Sequence, residues 1–481
     1  MRFRENSKTS IQGFNTIIPQ HSVMVCLILP AKTTFSLASK IDISFKRIQQ
    51  LAIPAIIAGI AEPILSSTDA AVVGNMEANS IESLAAVGIV GSFLSMLIWI
   101  LGQTRSAISA IIAQNLGAGK LDHISVLPAQ AIFFNLILSI LILSGTYFFV
   151  EEIFMLLNAK GLTLDLSVDY YNIRVWGFPL TLFTFAVFGI FRGLQNTFWP
   201  MIVAIIGAGL NIGLDFLLVY GIDGFIEPMY VKGAAWASLI SQFVMALLAL
   251  LLLLKKTEVS LKLSFPLHPE IKRLVQMSLN LFVRSFALNV ALILAVREAT
   301  DIGDTYVAAH TIAANIWLFT AFFLDGYGAA GNLLSGRLLG AGDYPNLWQL
   351  TKKVVGYNFV VSLVLIVICF ILYKPLGLVF SNEQEVLDVF YGIFFIVILM
   401  QPINALAFTL DAIFKGLGEM KWLRNTLLIA TFLGFVPTLY LTKYLGWGIK
   451  GIWMAFTVWM IFRALALIYF YRKKYYRLAL Q

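Results

Sequence analysis

The sequence predicts an all-α integral membrane protein in which about twelve transmembrane helices form two six-helix repeats. Composition is the first reason, because hydrophobic residues occupy 59% of the 481 positions and charged residues only 12%, far from the balance of soluble domains. The second reason is that long apolar stretches recur along the whole chain. The third is an internal repeat, in which the second half follows the pattern of the first.

Helical apolar stretches of at least about 17 residues can cross a hydrocarbon core of ~30 Å. Twelve such stretches have approximate limits at 47–71, 84–112, 126–149, 170–191, 200–220, 233–254, 274–297, 307–333, 354–373, 390–414, 424–442 and 449–471. We therefore expect an N-terminal six-helix lobe over 44–256, a linker over 257–273, a C-terminal six-helix lobe over 274–472 and a basic tail over 473–481.

Residues 1–43 precede the first span and differ in character from the rest of the chain. Their apolar run from Val23 to Pro30 is too short to cross a membrane, although it has the length of a weak signal-peptide core. We expect a disordered N-terminal extension that takes no part in the fold.

Lysine and arginine concentrate on one side of the predicted spans and acidic residues on the other. The basic side holds Lys46, Arg47, Arg192, Lys255, Lys256, Lys272, Arg273, Lys352, Lys353, Lys421, Arg424, Arg472, Lys473 and Lys474. The acidic side holds Glu77, Glu82, Glu151, Glu152, Asp223, Glu298, Asp301, Asp304, Glu383 and Glu385. Because cytoplasmic loops carry the positive excess and the span number is even, we expect a multi-pass protein of the plasma (inner) membrane with both termini and the linker in the cytoplasm.

The remaining composition argues against other classes of protein. The net charge of +8 follows from the loop asymmetry, since no basic stripe with interleaved aromatic residues indicates a nucleic-acid surface. The two cysteines and four histidines are scattered without metal-ligand spacing. No paired aspartyl motif, histidine cluster or serine nucleophile with a base indicates a membrane-embedded enzyme. We expect no metal, no cofactor and no nucleic-acid partner.

An internal repeat relates the two halves at an offset of 223 residues. The stretch that ends in Leu116-Gly117-Ala118-Gly119 aligns without gaps with the one that ends in Leu339-Gly340-Ala341-Gly342, and Phe191-Arg192-Gly193-Leu194 falls on Phe414-Lys415-Gly416-Leu417. The offset contains an even number of helices, so both copies have the same orientation. Two similar lobes around a central cavity can rock and expose it to alternate sides, which favours a transporter over a duplicated scaffold.

Ionisable residues inside the predicted spans mark candidate sites, because each costs ~2.5–3.5 kcal/mol at the bilayer centre. Glu62 and Asp69 are seven residues apart on the first helix, so they share a face about 10 Å apart along the axis. Pro54 removes a backbone donor from the same helix and allows it to bend. Asn211 and Asp215 lie four apart on one face of the fifth helix. We predict that the carboxylates and the amide converge and hold H⁺, or Na⁺ through oxygens.

The second half carries a different set of charges. At the repeat offset a glycine and a threonine stand in place of Asn211 and Asp215, so the predicted cation site belongs to the first lobe alone. Arg284 lies in the seventh predicted helix and Asp325 in the eighth. Because buried charges are usually matched, we predict an ion pair between them, with a second cation or substrate site as the alternative.

Several stretches, in their order and spacing, resemble one known family. They are Thr68-Asp69-Ala70-Ala71-Val72-Val73-Gly74, the Leu116 to Gly119 stretch, Asn211 with Asp215, and Leu324-Asp325-Gly326 followed by Gly336-Arg337-Leu338-Leu339-Gly340-Ala341-Gly342. Together they resemble the multidrug and toxic compound extrusion transporters, and within them the branch named for DNA-damage-inducible protein F. The resemblance covers nearly the whole chain beyond about residue 44.

The resemblance implies a V-shaped, two-lobed antiporter that expels cationic or amphiphilic organic compounds in exchange for H⁺ or Na⁺. Asp69, Asn211 and Asp215 are then the cation site, with Tyr170 or the neighbouring tyrosine close by. Pro54 would let the first helix bend on protonation. Glu62 stands where the family has an uncharged residue, and we count it with the cation-coupling residues. We expect a small-molecule substrate, a surrounding lipid bilayer and a monomer.

Two other substrates stay open. Plant members of this branch export citrate, so an organic-acid exporter of the same architecture is one alternative. A flippase for lipid-linked oligosaccharides is the other, and it would need several basic residues in the cavity to hold a diphosphate. The clearest basic candidates within the spans are Arg105, Arg284 and Arg463.

Overall fold

The computed structural model describes residues 41–76, 80–222 and 224–480, with the side chains of 62–67, 70 and 80 also outside the description. Over the described residues the chain is helical, apart from loops and one isolated antiparallel bridge between Ile222 and Ile226. The predicted all-α membrane fold is confirmed. The predicted disorder of 1–43 falls almost entirely outside the described residues.

Nine α-helices make up the first half of the described chain. They are α1 (Phe45–Gly74), α2 (Ser80–Leu101), α3 (Thr104–Gly117), α4 (Leu127–Tyr147), α5 (Val150–Leu156), α6 (Leu162–Arg174), α7 (Gly177–Gly193), α8 (Phe198–Tyr220) and α9 (Tyr230–Lys256). Helices α2 and α3 together form one candidate span, and α6 meets α7 at a bend of 46°.

The described second half also has nine α-helices. They are α10 (Pro269–Ile302), α11 (Asp304–Gly340), α12 (Tyr344–Phe380), α13 (Gln384–Leu399), α14 (Gln401–Gly416), α15 (Met420–Ile429), α16 (Val436–Tyr444), α17 (Ile449–Tyr471) and α18 (Arg477–Ala479). Helix α13 meets α14 at a bend of 51°, and a π-helical segment, Ala430–Phe435, joins α15 to α16.

The number of candidate spans is close to the predicted twelve. In the described chain nine helices are long and apolar enough to cross a membrane, and the two bent pairs raise this number to eleven. Helix α1 has 30 residues, a length of about 45 Å at 1.5 Å per residue, and corresponds to the first predicted span. Helix α1 is not among these candidate spans, and counting it as well would give the twelve that the apolar stretches predict.

The two lobes, α1–α9 and α10–α18, repeat each other helix by helix. At the offset of 223 residues α1 corresponds to α10, α7 to α14, and α8 to the α15–α16 helix. One difference concerns the predicted cation site, because α8 is a continuous α-helix whereas its counterpart is π-helical over Ala430–Phe435. We call the end of the lobes that carries Lys46, Lys255 and Lys352 the basic end, and the opposite end the acidic end.

The lobes interlock at the basic end through two glycines related by the repeat. A Cβ added at Gly117 of α3 would lie 1.8 Å from the carbonyl oxygen of Arg337 on α11, and one added at Gly340 would lie 1.8 Å from that of Gln114. Only a residue without a side chain allows the two backbones to come this close. The glycine-rich stretches that mark the repeat in the sequence therefore form the contact between the lobes.

Side-chain hydrogen bonds join the lobes in the same region. The amide of Gln195 donates to the carbonyl of Leu333 at 2.9 Å, and the amide of Gln114 donates to that of Gly416 at 2.9 Å. Toward the acidic end the lobes have separate hydrophobic cores, one around Phe154 and the other around Trp453. The space between the lobes is thus closed at the basic end.

Gly117→Ala is expected to weaken this closure, because its new methyl group overlaps the Arg337 carbonyl. Overpacking costs ~1–3 kcal/mol, so the ratio of closed to open protein should fall about tenfold. A single cysteine at Ala329, on the α11 side of the cleft, should then react faster with an impermeant maleimide applied from the basic end. Gly356→Ala is the matched control, since its added methyl meets no atom within 4 Å. Equal labelling rates in the two variants would contradict the interlock.

Candidate functional site

One amide bridges the carboxyl groups of Asp69 and Asp215. The Nδ2 of Asn211 donates to Asp69 Oδ1 at 2.9 Å and to Asp215 Oδ2 at 2.6 Å. Helix α1 supplies Asp69, and one turn of α8 supplies the other two. Their exposed fractions are 8% for Asp69, 5% for Asn211 and 0% for Asp215. The structure brings together the three residues that the sequence placed on two separate helices.

This cluster has more acceptors than donors. The amide of Asn211 has two N–H groups, and both are used, while Asp215 Oδ1 is buried with no hydrogen-bond partner among the described residues. The carboxyl groups of Asp69 and Asp215 also approach each other directly. Two negative charges at such a distance repel strongly away from water. The arrangement is therefore suited to take up and release one proton, or one small cation held through oxygens.

Two tyrosines of α6 are candidates for a place beside this cluster. The hydroxyl of Tyr171 donates to Thr146 Oγ1 at 2.5 Å. Tyr170 is 2% exposed and lies within electrostatic range of both Asp69 and Asp215. The structure thus brings Tyr170, and not its neighbour, within electrostatic range of the carboxylates.

Arg174 is a residue of this site that the sequence reasoning missed. Its guanidinium carbon lies 5.9 Å from the centre of the Tyr170 ring, and its charge acts on Asp215. Its Nε is buried without a hydrogen-bond partner in the described part of the chain. A fixed positive charge here offsets part of the negative charge of the carboxylates. Because Tyr170 and Arg174 lie four apart on α6, helical spacing from the tyrosine could have indicated it.

Pro54 lies in α1, toward the basic end from Asp69. A proline has no N–H for the carbonyl four residues earlier, which here belongs to Gln50. The hydroxyl of Thr197, at the start of α8, donates to the Leu51 carbonyl at 3.0 Å and lies 3.5 Å from that of Gln50. The turn of α1 that Pro54 weakens is thus hydrogen-bonded to the start of α8, the helix that carries Asn211.

Thr197→Val is expected to slow transport while leaving cation binding intact, because it removes the hydroxyl that holds α1 at Pro54. A buried hydrogen bond contributes about 1 kcal/mol, so the transport rate should fall about fivefold. Turnover in proteoliposomes and isothermal titration with the cation would measure the two effects separately. Thr197→Ser keeps the hydroxyl and is the control. A loss of cation affinity in Thr197→Val alone would show that this residue belongs to the binding site.

Glu62 lies in α1, seven residues before Asp69, and its side chain is outside the described residues. Its part in cation coupling stays a prediction. Within residues 41–76, 80–222 and 224–480, no group of three or more His, Cys, Asp or Glu side chains is placed to hold a metal ion.

The predicted ion pair between Arg284 and Asp325 is wrong, because Arg284 pairs with Asp411. Arg284 Nη2 lies 2.7 Å from Asp411 Oδ1, and both side chains are buried. Lys415 Nζ lies 3.2 Å from Asp411 Oδ2, and Arg463 Nη2 lies 3.7 Å from Oδ1. Asp325 instead lies on an exposed face of α11. One buried carboxylate of the second lobe therefore serves three cations.

Comparison with known proteins agrees with this architecture. A family model described as MatE matches residues 54–217 and 281–440, which is more than half of the chain, with one match in each lobe. Protein DETOXIFICATION 44, chloroplastic, of Arabidopsis thaliana is 27% identical, and the aligned region covers 87% of this chain and 80% of that protein. DNA damage-inducible protein F of Escherichia coli (strain K12) is 25% identical and covers 89% and 92%. The probable multidrug resistance protein NorM of Thermotoga maritima is 23% identical and covers 89% and 93%.

Solved structures show the same fold. A crystal structure of MATE in the bent conformation matches with a TM-score of 0.83 at 22% identity, over 90% of this chain and 96% of that chain. An outward-facing conformation of a multidrug resistance MATE family transporter matches with a TM-score of 0.83 at 21% identity, over 91% and 97%. From the two ranges that the family model matches and the helical, two-lobed fold, the chain belongs to the MatE family of multi-pass membrane transporters, which are not enzymes.

Proposed function

We propose that this transporter is a secondary active antiporter, which exports organic compounds in exchange for H⁺ or Na⁺ by alternating access. The observation that supports it most is the amide of Asn211 between the carboxyl groups of Asp69 and Asp215. A buried site that is short of one positive charge can bind a cation from one side of the membrane and release it to the other. The closed basic end supports one of the two states that alternating access requires.

The test is efflux from proteoliposomes under an imposed pH gradient and then under an imposed Na⁺ gradient. One pH unit contributes about 1.4 kcal/mol per exchanged proton, which supports a tenfold concentration ratio of substrate. We expect one of the two gradients to drive uphill movement, and its identity gives the coupling ion. Movement that only follows the substrate gradient, whatever the ion gradient, would exclude antiport.

The substrate class has two candidates. Cationic or amphiphilic compounds are the class that the resemblance implies, and the relative from Thermotoga maritima is named as a probable multidrug resistance protein. Export of organic acids is the second candidate. It is supported by the basic residues Arg284, Lys415 and Arg463, which outnumber the carboxylate they share.

We also propose that the protein is a monomer of the plasma membrane, with both termini and the basic end in the cytoplasm. The charge asymmetry of the loops supports this orientation. A cysteine introduced at the exposed Ser260 is expected to react with impermeant maleimide only after the cells are opened. Asn382→Cys, at the acidic end, should react in intact cells and is the control. The reverse pattern would invert the orientation and leave the fold unchanged.

A further inference from the structure

The half of α1 nearest the basic end lies against the second lobe, although α1 belongs to the first. The side-chain amide of Gln49 donates to the hydroxyl of Tyr327 on α11 at 2.7 Å. The ring of Phe45 meets that of Tyr357 on α12 edge-on, with ring centres 5.0 Å apart. Polar and aromatic contacts thus hold the start of α1 to two helices of the opposite lobe.

A closer contact of α1 with the second lobe is made at Gly326 of α11. A Cβ added there would lie 2.0 Å from Ile56 Cγ1 and 3.1 Å from the carbonyl oxygen of Ala52. Ala52 and Ile56 stand two residues before and two residues after Pro54, at the turn where α1 lacks a backbone hydrogen bond. A residue without a side chain on α11 therefore lets the two helices touch at the turn where α1 can bend.

The other half of α1 carries Asp69 and is held by α8. Three residues beyond Asp69, the carbonyl of Val72 accepts a hydrogen bond from the hydroxyl of Tyr220 on α8 at 2.8 Å. Because α1 is one uninterrupted helix, about 20 Å of helix joins Ile56 to Asp69. A movement of this half relative to α8 is therefore passed along α1 to the turn that Gly326 contacts.

Helix α11 carries this contact and the interlock of the basic end on nearly the same face. Gly326 and Gly340 lie 14 residues apart in the uninterrupted helix Asp304–Gly340. Fourteen steps of 100° fall about 40° short of four full turns. Gly340 packs against the backbone of Gln114 in the first lobe. A displacement of α11 at Gly326 therefore also displaces the contact that closes the basic end.

We propose that the contact of Gly326 with Ala52 and Ile56 couples the cation site to the basic end, so that these three are positioning residues of the transport cycle. The inference rests on the proposed function, because it assigns the route by which the cation changes the state of that antiporter. Occupancy of the site at Asp69 sets the angle of α1 at Pro54, and that angle sets where α11 can lie. Both sites then bias one element, which is what physical coupling requires.

Cysteine labelling from the basic end, with and without the cation, tests this coupling. A single cysteine at Ala329 reacts with an impermeant maleimide at low and at high pH, and with and without Na⁺. Each rate is divided by that of a cysteine at the exposed Ser260, which removes the effect of pH on the thiol. In otherwise wild-type protein we expect one of the two cations to change this ratio about fivefold or more. Gly326→Ala should abolish the change, while isothermal titration still detects cation binding.

Two further variants separate coupling from simple loosening of the fold. Gly117→Ala weakens the basic end through a methyl group that meets α11 and not α1. It should raise the labelling rate under every condition but keep the response to the cation. Adding Ile56→Ala to Gly326→Ala should restore the response, because it removes the side-chain atoms that the new methyl group overlaps.

The possible outcomes distinguish the coupling contact from the antiport on which it rests. An undiminished cation response in folded Gly326→Ala, beside a responding wild-type protein, would overturn the coupling contact and leave antiport standing. A wild-type protein that responds to neither cation would contradict antiport, and the coupling contact with it. Should Gly326→Ala not fold, Ile56→Ala alone decides, because it removes the contact without overpacking. It should weaken the response, and an unchanged response would overturn the proposal.

Discussion

Asp69→Asn and Asp215→Asn are each expected to abolish gradient-driven efflux while substrate still binds. Each change keeps the shape of the side chain but removes the charge that attracts the coupling cation into the bridge made by Asn211. Without that cation the imposed gradient does no work, so a tenfold substrate ratio per pH unit should fall to none. Efflux from proteoliposomes under the gradient, beside substrate binding in detergent, measures the two effects.

The matched control is Asp169→Asn, because this carboxylate belongs to the same lobe but is half-exposed and forms an ion pair with Lys232. Efflux by this variant should equal that of the wild-type protein, since exposed pairs contribute little. Full efflux by the Asp69→Asn, Asp215→Asn double variant, at normal expression, would contradict the proposal that cation binding at these residues drives efflux.

Asp411→Asn is expected to be the most destabilising single change in the second lobe. It leaves Arg284, Lys415 and Arg463 without their shared carboxylate in a buried setting. Removal of one partner of a buried pair costs ~3–5 kcal/mol, so the unfolding transition in detergent should move to a clearly lower temperature. Asp325→Asn is the control, because that side chain is exposed and makes no ion pair with Arg284 within 4.0 Å.

A double-mutant cycle tests the pair itself. Arg284→Met with Asp411→Leu should be less destabilised than the two single effects predict together, because the partners lose their charges at once. Strictly additive effects would show that the contact between Arg284 and Asp411 does not stabilise the protein. The same cycle with Asp325 in place of Asp411 should be close to additive.

The fold was predictable because its signals extend over many residues. Apolar stretches long enough to span a bilayer, and a repeat that holds over an offset of 223 residues, do not depend on single contacts. The convergence of three polar side chains was predictable for a related reason. Asp69, Asn211 and Asp215 are polar groups in apolar helices. Such groups pair with one another because lipid offers them no hydrogen-bond partner.

The partners of individual charges were less accessible to sequence reasoning. Arg284 can face either Asp325 or Asp411, and the choice depends on how α10 is rotated against α11 and α14. Helical periodicity gives the shared face of one helix but not the face of its neighbour. Thr197 escaped notice for the same reason, because its role is defined by the carbonyls of another helix.

The contacts of Gly117 and Gly340 also limit how the basic end can open. Each glycine touches the backbone of the opposite lobe at the point that precedes the other glycine by three residues, so neither contact can part while the other stays in register. Packed backbones at this distance offer no graded adjustment. The contact between the lobes at the basic end should therefore have only two states, fully closed and fully open. In the antiport that we propose, such a contact would have no half-open state through which ions could leak, so each cation would stay coupled to one transport cycle.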